Sequence, residues 1–269
     1  EYAMGDRMRP VPFEELIDRI FSEYRNHGTI FGIHKEDFYK TNPKHSITVF
    51  GQKCAVPLGP AAGPHTQLAQ NIVSAYMVGG RFMELKTVQI MDHLEIAKPC
   101  IDARDEGHNV EWSTEYTLEK AYDEYLKAYF VLHLIQAAFT GKVEEPDFIF
   151  NMSVGYNLEG IKQPKMQTYI DSMIDANKSP LFKQYKTSLK NIIEEGNLLE
   201  GTDLEGNEKA LKALENRISA NICPSVTIST MHGCPPKEIE AICSYMLTEK
   251  KLNTFVKLNP TLLGYDKVR

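Results

Sequence analysis

Apolar residues recur at helical spacing in "PFEELIDRIFSEY" (12–24), which predicts a lead-in helix. The pattern then changes. "HSITVFGQKCAVPLGP" reads as a β-hairpin: two short apolar runs around Gly51, Gln52 and Lys53. A loop and helix follow in "AAGPHTQLAQNIVSAYMVGG", stopped by Gly79 and Gly80. "RFMELKT" is a strand, and "TLEKAYDEYLKAYFVLHLIQAAFTGK" a long amphipathic helix. "DFIFNMSVG" is the next strand. The span near 164–220 is polar and helical, with "DANKSP" and "EGTDLEGNE" as loops. "PSVTIST", "PPKEIEAICSYMLTEKK" and "NTFVKLNP" complete the pattern as strand, helix and strand.

Apolar strands alternating with helices indicate parallel βαβ units. Five strands are counted, near 55, 83, 150, 227 and 256. Neither G-x-G-x-x-G nor a phosphate loop follows any of them, so a dinucleotide-binding sheet lacks its motif. A (β/α)8 TIM barrel present only in part fits better, because eight strands would be needed and the last one counted lies about ten residues from the C-terminus. The expected organisation is a helical lead-in over 1–45 and a partial barrel over 46–269, with a helical insertion near 164–220.

Composition narrows the classes. Of 269 residues, 42% are hydrophobic and 25% charged, enough for a large core. A net charge of -6 argues against a nucleic-acid or anionic-membrane surface. The five cysteines form no C-x-x-C pair, so a zinc or iron–sulfur site within the chain is not expected, and reduced thiols suggest the cytoplasm. The longest apolar run is too short to span a bilayer.

Chemistry in a barrel sits where strands end. The first strand ends in "PLGPAAGP", small residues that let backbone approach a flat ligand. In the second, alternation puts Phe82, Glu84 and Lys86 on one face and Met83 and Leu85 on the other. The ordinary explanation is an internal Glu84–Lys86 ion pair. Asn151 and Ser153 alternate with Met152 and Val154, and Phe255, Lys257 and Asn259 share a face of the last strand. Cys234 stands before Pro235, at a strand-to-helix junction outside the stripe formed by Ile239, Ile242, Cys243 and Met246. A lysine at the N1/C2 edge would stabilise a reduced flavin, and a thiol tuned by a helix N-terminus can act as acid or base. The competing view makes Cys234 a small residue in a tight corner and His232 a solvated side chain. A metal centre is not expected: Asp102, Asp105, Glu106 and His108 come nearest to one and read as a polar loop.

The ordered set "PLGPAAGP", "ELKT", "NMSVG", "GCP" and "VKLNP" resembles the FMN-binding barrels of dihydroorotate and dihydropyrimidine dehydrogenases. Nearly the whole chain is similar to the N-terminal domain of large bacterial flavin and iron–sulfur oxidoreductases labelled selenate reductase subunits. "GPAAGPHTQLAQNI", "FNMSVGYNLEGIKQP" and "STMHGCPPKEIEAI" carry that likeness. It implies Ala61, Ala62 and Gly63 against the flavin ring, Lys86 at its N1/C2 edge, Thr87 hydrogen-bonding nearby and Lys257 on the flavin or its ribityl chain. It further implies Asn109 on the substrate ring, Cys234 as proton donor or acceptor, and the hairpin near 46–57 as a plug at the barrel bottom. Asn151 and Ser153 are further substrate contacts, and His232 could share proton transfer.

The dehydrogenases read N-L-S-C-P before the helix, where this chain has Met231, His232, Gly233, Cys234 and Pro235. An acidic Glu84 is also unexpected at an inward position. Orotate is therefore not the expected substrate. The expected activity is FMN-dependent hydride transfer to or from an electron-poor bond of a flat pyrimidine- or purine-like heterocycle. Electrons would come from NAD(P)H through FAD and iron–sulfur centres on other domains of a longer polypeptide. Selenate is a second candidate substrate, a flavin-less docking or scaffold domain is the alternative function, and a homo-oligomer stays open.

Overall fold

The computed structural model describes residues 9–86, 101–102, 108–109, 116–143, 145–214, 216–229, 235–257 and 265–268. Helix α1 (Phe13–His27) leads into the short antiparallel strands β1 (Thr29–Ile30) and β2 (Ile33–His34), then the hairpin β3 (Ile47–Val49) and β4 (Gln52–Cys54). Next come α2 (Ala69–Met77), β5 (Phe82–Leu85), the small pair β6 (Ile101–Asp102) and β7 (His108–Asn109), and the long helix α3 (Leu118–Thr140). Strand β8 (Ile149–Val154) is followed by α4 (Leu158–Ile161), α5 (Pro164–Ile174), α6 (Pro180–Glu195) and α7 (Glu208–Leu214). The described part closes with β9 (Ser225–Ser229), α8 (Pro236–Thr248), β10 (Asn253–Lys257) and α9 (Tyr265–Val268).

Four strands form a parallel sheet in the order β10-β9-β8-β5, successive strands lying side by side as in a barrel wall. The fifth segment, near residue 55, follows that wall without a regular ladder. Arg81 and Phe82 N–H donate to Leu58 O and Glu84 N–H to Pro60 O, but Pro57 and Pro60 have no N–H with which to build a strand of their own. Gly59 lies against β5 so closely that a Cβ there would fall 1.7 Å from Phe82 O, a contact only glycine allows.

The sheet is curled. Strands lie about 4.8 Å apart, so β5 and β10 would be separated by roughly 14 Å in a flat sheet. Side chains standing upright on such a sheet would not meet. Yet the rings of Phe82 and Phe255 are 5.8 Å apart, and Lys257 Nζ is 3.1 Å from Glu84 Oε1. Both pairs cross the concave inner face. The hairpin turns through Phe50 and Gly51, both at positive φ, one residue earlier than its sequence suggested, because Gln52 pairs with Val49. That turn places Phe50 against Phe255, with centroids 5.0 Å apart.

The outer face carries Met83, Leu85, Phe150, Met152, Val154, Val226 and Ile228, all buried in one apolar core with the helices. Helix α3 departs from its expected amphipathic form. Residues 124–138 are buried on every side, because α2, α5, α6 and α7 surround it. The lead-in helix α1 belongs to the same core, where Phe13 meets Tyr185 of α6 at 4.5 Å. At the N-terminal end of the wall, Arg81 pairs with Asp147 at 3.1 Å and lies 3.7 Å from the Tyr76 ring centre, the kind of contact that stabilises a barrel bottom.

One buried group in α3 sets a pH limit. His133 is 5% exposed, its Nε2 has no hydrogen-bond partner among the described residues, and the Tyr129 and Phe148 rings flank it. Burial disfavours the imidazolium and pushes its pKa from 6.5 down to about 4. The unfolded chain therefore binds the extra proton first as pH falls. His133 should leave stability untouched above its unfolded pKa and remove up to about 1.4 kcal/mol per pH unit below it, until the folded pKa is reached. In urea unfolding across that range, His133→Phe should flatten the acid side of the midpoint profile. Parallel profiles for the two proteins would show that His133 is not the sensitive group.

Candidate functional site

The four parallel strands point their C-terminal ends the same way, and their register fixes what the inner face presents. Glu84 lies beside Asn151, Asn151 beside Ser225, Ser153 beside Thr227, Thr227 beside Phe255 and Ser229 beside Lys257. Side chains in register on adjacent parallel strands share a face. The alternation in the sequence therefore divides the wall into an apolar outside and a polar inside.

The deepest inner layer is spent on itself. Asn151 is fully buried, and its Nδ2 donates to Thr227 Oγ1 at 2.7 Å, while its Oδ1 accepts from Ser225 Oγ at 2.7 Å. Ser153, one step toward the mouth, is also buried. Ser225 and Thr227 went unremarked in the sequence although "SVTIS" alternates polar and apolar residues. That alternation was the signal for them.

Beside Asn151, in register with it, the carboxylate of Glu84, 8% exposed, joins three elements. Its Oε2 accepts from Ala62 N–H at 3.0 Å and from Lys257 Nζ at 3.2 Å. The ordinary explanation, a Glu84–Lys86 ion pair, gives way to a pair with Lys257. Lys257 holds Glu84 because sheet curvature brings β10 over β5, which spacing along one strand cannot reveal. Half of the Lys257 side chain remains solvent-accessible, at 45%.

The small-residue loop is pinned along its length. Gly63 N–H donates to Thr66 Oγ1, Thr66 Oγ1 donates to Gly63 O, and Lys86 N–H donates to the same Thr66 hydroxyl. Gln67 Oε1 accepts from Tyr116 N–H. Tyr125 Oη donates to Lys86 O, fixing the strand end from α3. Ala61 is exposed, Ala62 half-buried and Gly63 buried. The loop thus presents its tip while its far end is anchored.

The structure brings Ala61, Ala62, Gly63, Lys86 and Lys257 to one end of the sheet, with Asn151 and Ser153 on the wall beneath. Asn109 lies in β7, opposite Ile101. Cys234, His232 and Thr87 lie outside the described residues, as does Asn259. Among the described residues no three His, Cys, Asp or Glu side chains gather as metal ligands, and no helix is long and apolar enough to cross a membrane.

Comparison with known proteins places this wall in a family. The family model described as "Oxidoreductase YgfK, N-terminal TIM-barrel domain" matches residues 31–269. The chain belongs to this family. Two curated YgfK relatives, both named "Putative oxidoreductase YgfK", come from Escherichia coli strain K12 and from Escherichia coli O157:H7. Each is 60% identical to this chain over 266 residues, which is 99% of this chain and 26% of the relative. The chain thus spans about a quarter of the length of these YgfK proteins. The curled four-stranded wall is a portion of the TIM barrel that this family model describes, and its strand ends form the face on which such barrels carry their chemistry.

Proposed function

We propose that this domain holds FMN at the C-terminal ends of its strands and transfers hydride to or from an electron-poor bond of a flat N-heterocycle, pyrimidine- or purine-like. The observation that carries this reading is the convergence of the pinned loop 59–63, Lys86 and Lys257 at one strand-end face, above a polar inner wall. The donor set fits a flavin ring. Small residues leave room for a flat surface, and ammonium groups with backbone amides suit a ring edge that gains negative charge. Arginines, which suit tetrahedral oxyanions, do not occur at these strand ends among the described residues. Selenate, suggested only by the sequence resemblance, is accordingly the second substrate to screen.

When bound, the flavin supplies N5 as hydride donor or acceptor. The protein's own groups do the rest. Lys86 and Lys257 stabilise charge at the ring edge. Asn109 and Ser153 orient the substrate, while Asn151, expected as a third substrate contact, has its amide bonded to Thr227 and Ser225 and braces the wall beside Ser153 instead. Cys234, between β9 and α8 in sequence, gives or takes the proton at the carbon beside the hydride site, with His232 two residues away able to relay it. The reading extends to electron supply from NAD(P)H through FAD and iron–sulfur centres on the remaining domains.

Purified full-length protein should show a flavin absorption spectrum and release both FMN and FAD on denaturation, separable by chromatography. FAD without FMN would overturn the reading and favour a docking domain.

A further inference from the structure

Glu84 is the residue at this mouth that flavin chemistry does not ask for. A carboxylate beside a ring edge that becomes negative on reduction is unfavourable on its own. In this structure it touches two of the groups assigned to the cofactor. It accepts from the Ala62 amide at 3.0 Å and lies within 3.2 Å of Lys257 Nζ through both oxygens. Those partners come from opposite sides of the curled sheet, so one buried side chain fixes the loop on β5's flank and the lysine at the end of β10.

The charge arithmetic follows from the same geometry. A lysine paired at this distance presents a weaker positive potential to a third group than one without a carboxylate partner. An oxidised flavin ring is neutral. Taking up two electrons and one proton makes it a monoanion. Lys257 favours the anion, and Glu84 offsets part of that preference.

We infer that Glu84 is the positioning residue of the mouth: it sets the Ala62 amide and Lys257 in place and, by offsetting the lysine's charge, holds down the reduction potential of a flavin bound there. The inference rests on the FMN reading for its second half and on the hydrogen bonds alone for its first.

Two variants in the full-length protein test it. Glu84→Gln keeps the shape and an acceptor for Ala62 N–H but removes the charge. Reduced FMN should then bind at least tenfold better relative to oxidised FMN than in the parent. For a two-electron couple that is a rise of about 30 mV in the FMN potential, read by dye-coupled titration. The FAD component should not move. Lys257→Met should shift the FMN potential the opposite way, which keeps the test alive if Glu84→Gln does not fold. An unchanged or lowered potential in Glu84→Gln overturns the charge role.

The positioning role is read without flavin, by hydrogen exchange at Ala62. Its amide should stay protected in Glu84→Gln and exchange at least tenfold faster in Glu84→Ala. Equal exchange in Glu84→Ala and the parent overturns the positioning role. A protein that holds no FMN but shows the Ala62 effect defeats the flavin reading while leaving Glu84's structural assignment standing.

Discussion

Cys234→Ser is expected to lower substrate turnover by about 10²–10⁴, the usual worth of a positioned acid or base, without loss of bound flavin. The reason is acidity. A thiol with an ordinary pKa of about 8.5 can both hold and release a proton near neutral pH, especially at a helix N-terminus. A serine hydroxyl at the same place keeps its proton and cannot take up a second. In the proposed reaction hydride and proton leave or arrive on adjacent carbons, so blocking one stalls the other. The loss should appear in the half-reaction between flavin and heterocycle and not in reduction by NAD(P)H. Stopped-flow measurement of the two half-reactions separates them. Unchanged turnover would remove Cys234 from the mechanism. His232→Asn is the companion variant: a comparable loss there would make the proton path run through both residues. Neither variant should move the FMN potential, which distinguishes them from the Glu84 variants.

Much of the wall was legible because a strand's alternation is a local property. "FMEL" and "FNMSV" assign Met83, Leu85, Met152 and Val154 to one face and Glu84, Asn151 and Ser153 to the other, and the register bears this out. Contacts that depend on how the sheet bends were not legible. Glu84 and Lys86 are neighbours on one strand face, so an ion pair between them is the ordinary alternative in sequence, whereas curvature delivers Lys257 from three strands away. The segment near 55 read as a strand from its apolar residues. Pro57 and Pro60 remove the donors a ladder needs, and it became a hydrogen-bonded flank with Gly59 pressed on β5. Helix α3 misled for the opposite reason. It read as amphipathic, and the helices that cover the face of "EKAYDEYLK" follow later in the chain. Two charges in that stretch are in fact buried together.

That burial carries the second large effect. Glu124 and Lys127, one turn apart on α3, are 1% and 2% exposed and form an ion pair. Burial pushes the Glu124 carboxyl up, against the pull of its hydrogen bonds from Ala69 N–H and Lys127. Glu124→Ala would leave the Lys127 ammonium in an apolar surround with no counter-charge, and should destabilise the chain by about 3–5 kcal/mol in urea unfolding. Replacing both residues by leucine removes both charges at similar volume and should recover most of that loss, since buried pairs contribute little beyond satisfying each other. A single variant as stable as the parent would mean that water or another group reaches Lys127. The consequence extends to the site. Glu124 Oε2 also accepts from Ala69 N–H at 2.8 Å, the first amide of α2, which follows the loop that carries Ala61, Ala62 and Gly63 after a 3-10 turn over Pro64–Gln67. The double leucine variant leaves that amide without its acceptor. It should therefore regain stability yet exchange faster at Ala69 than the parent, separating the energetic role of the ion pair from its role in anchoring the start of α2.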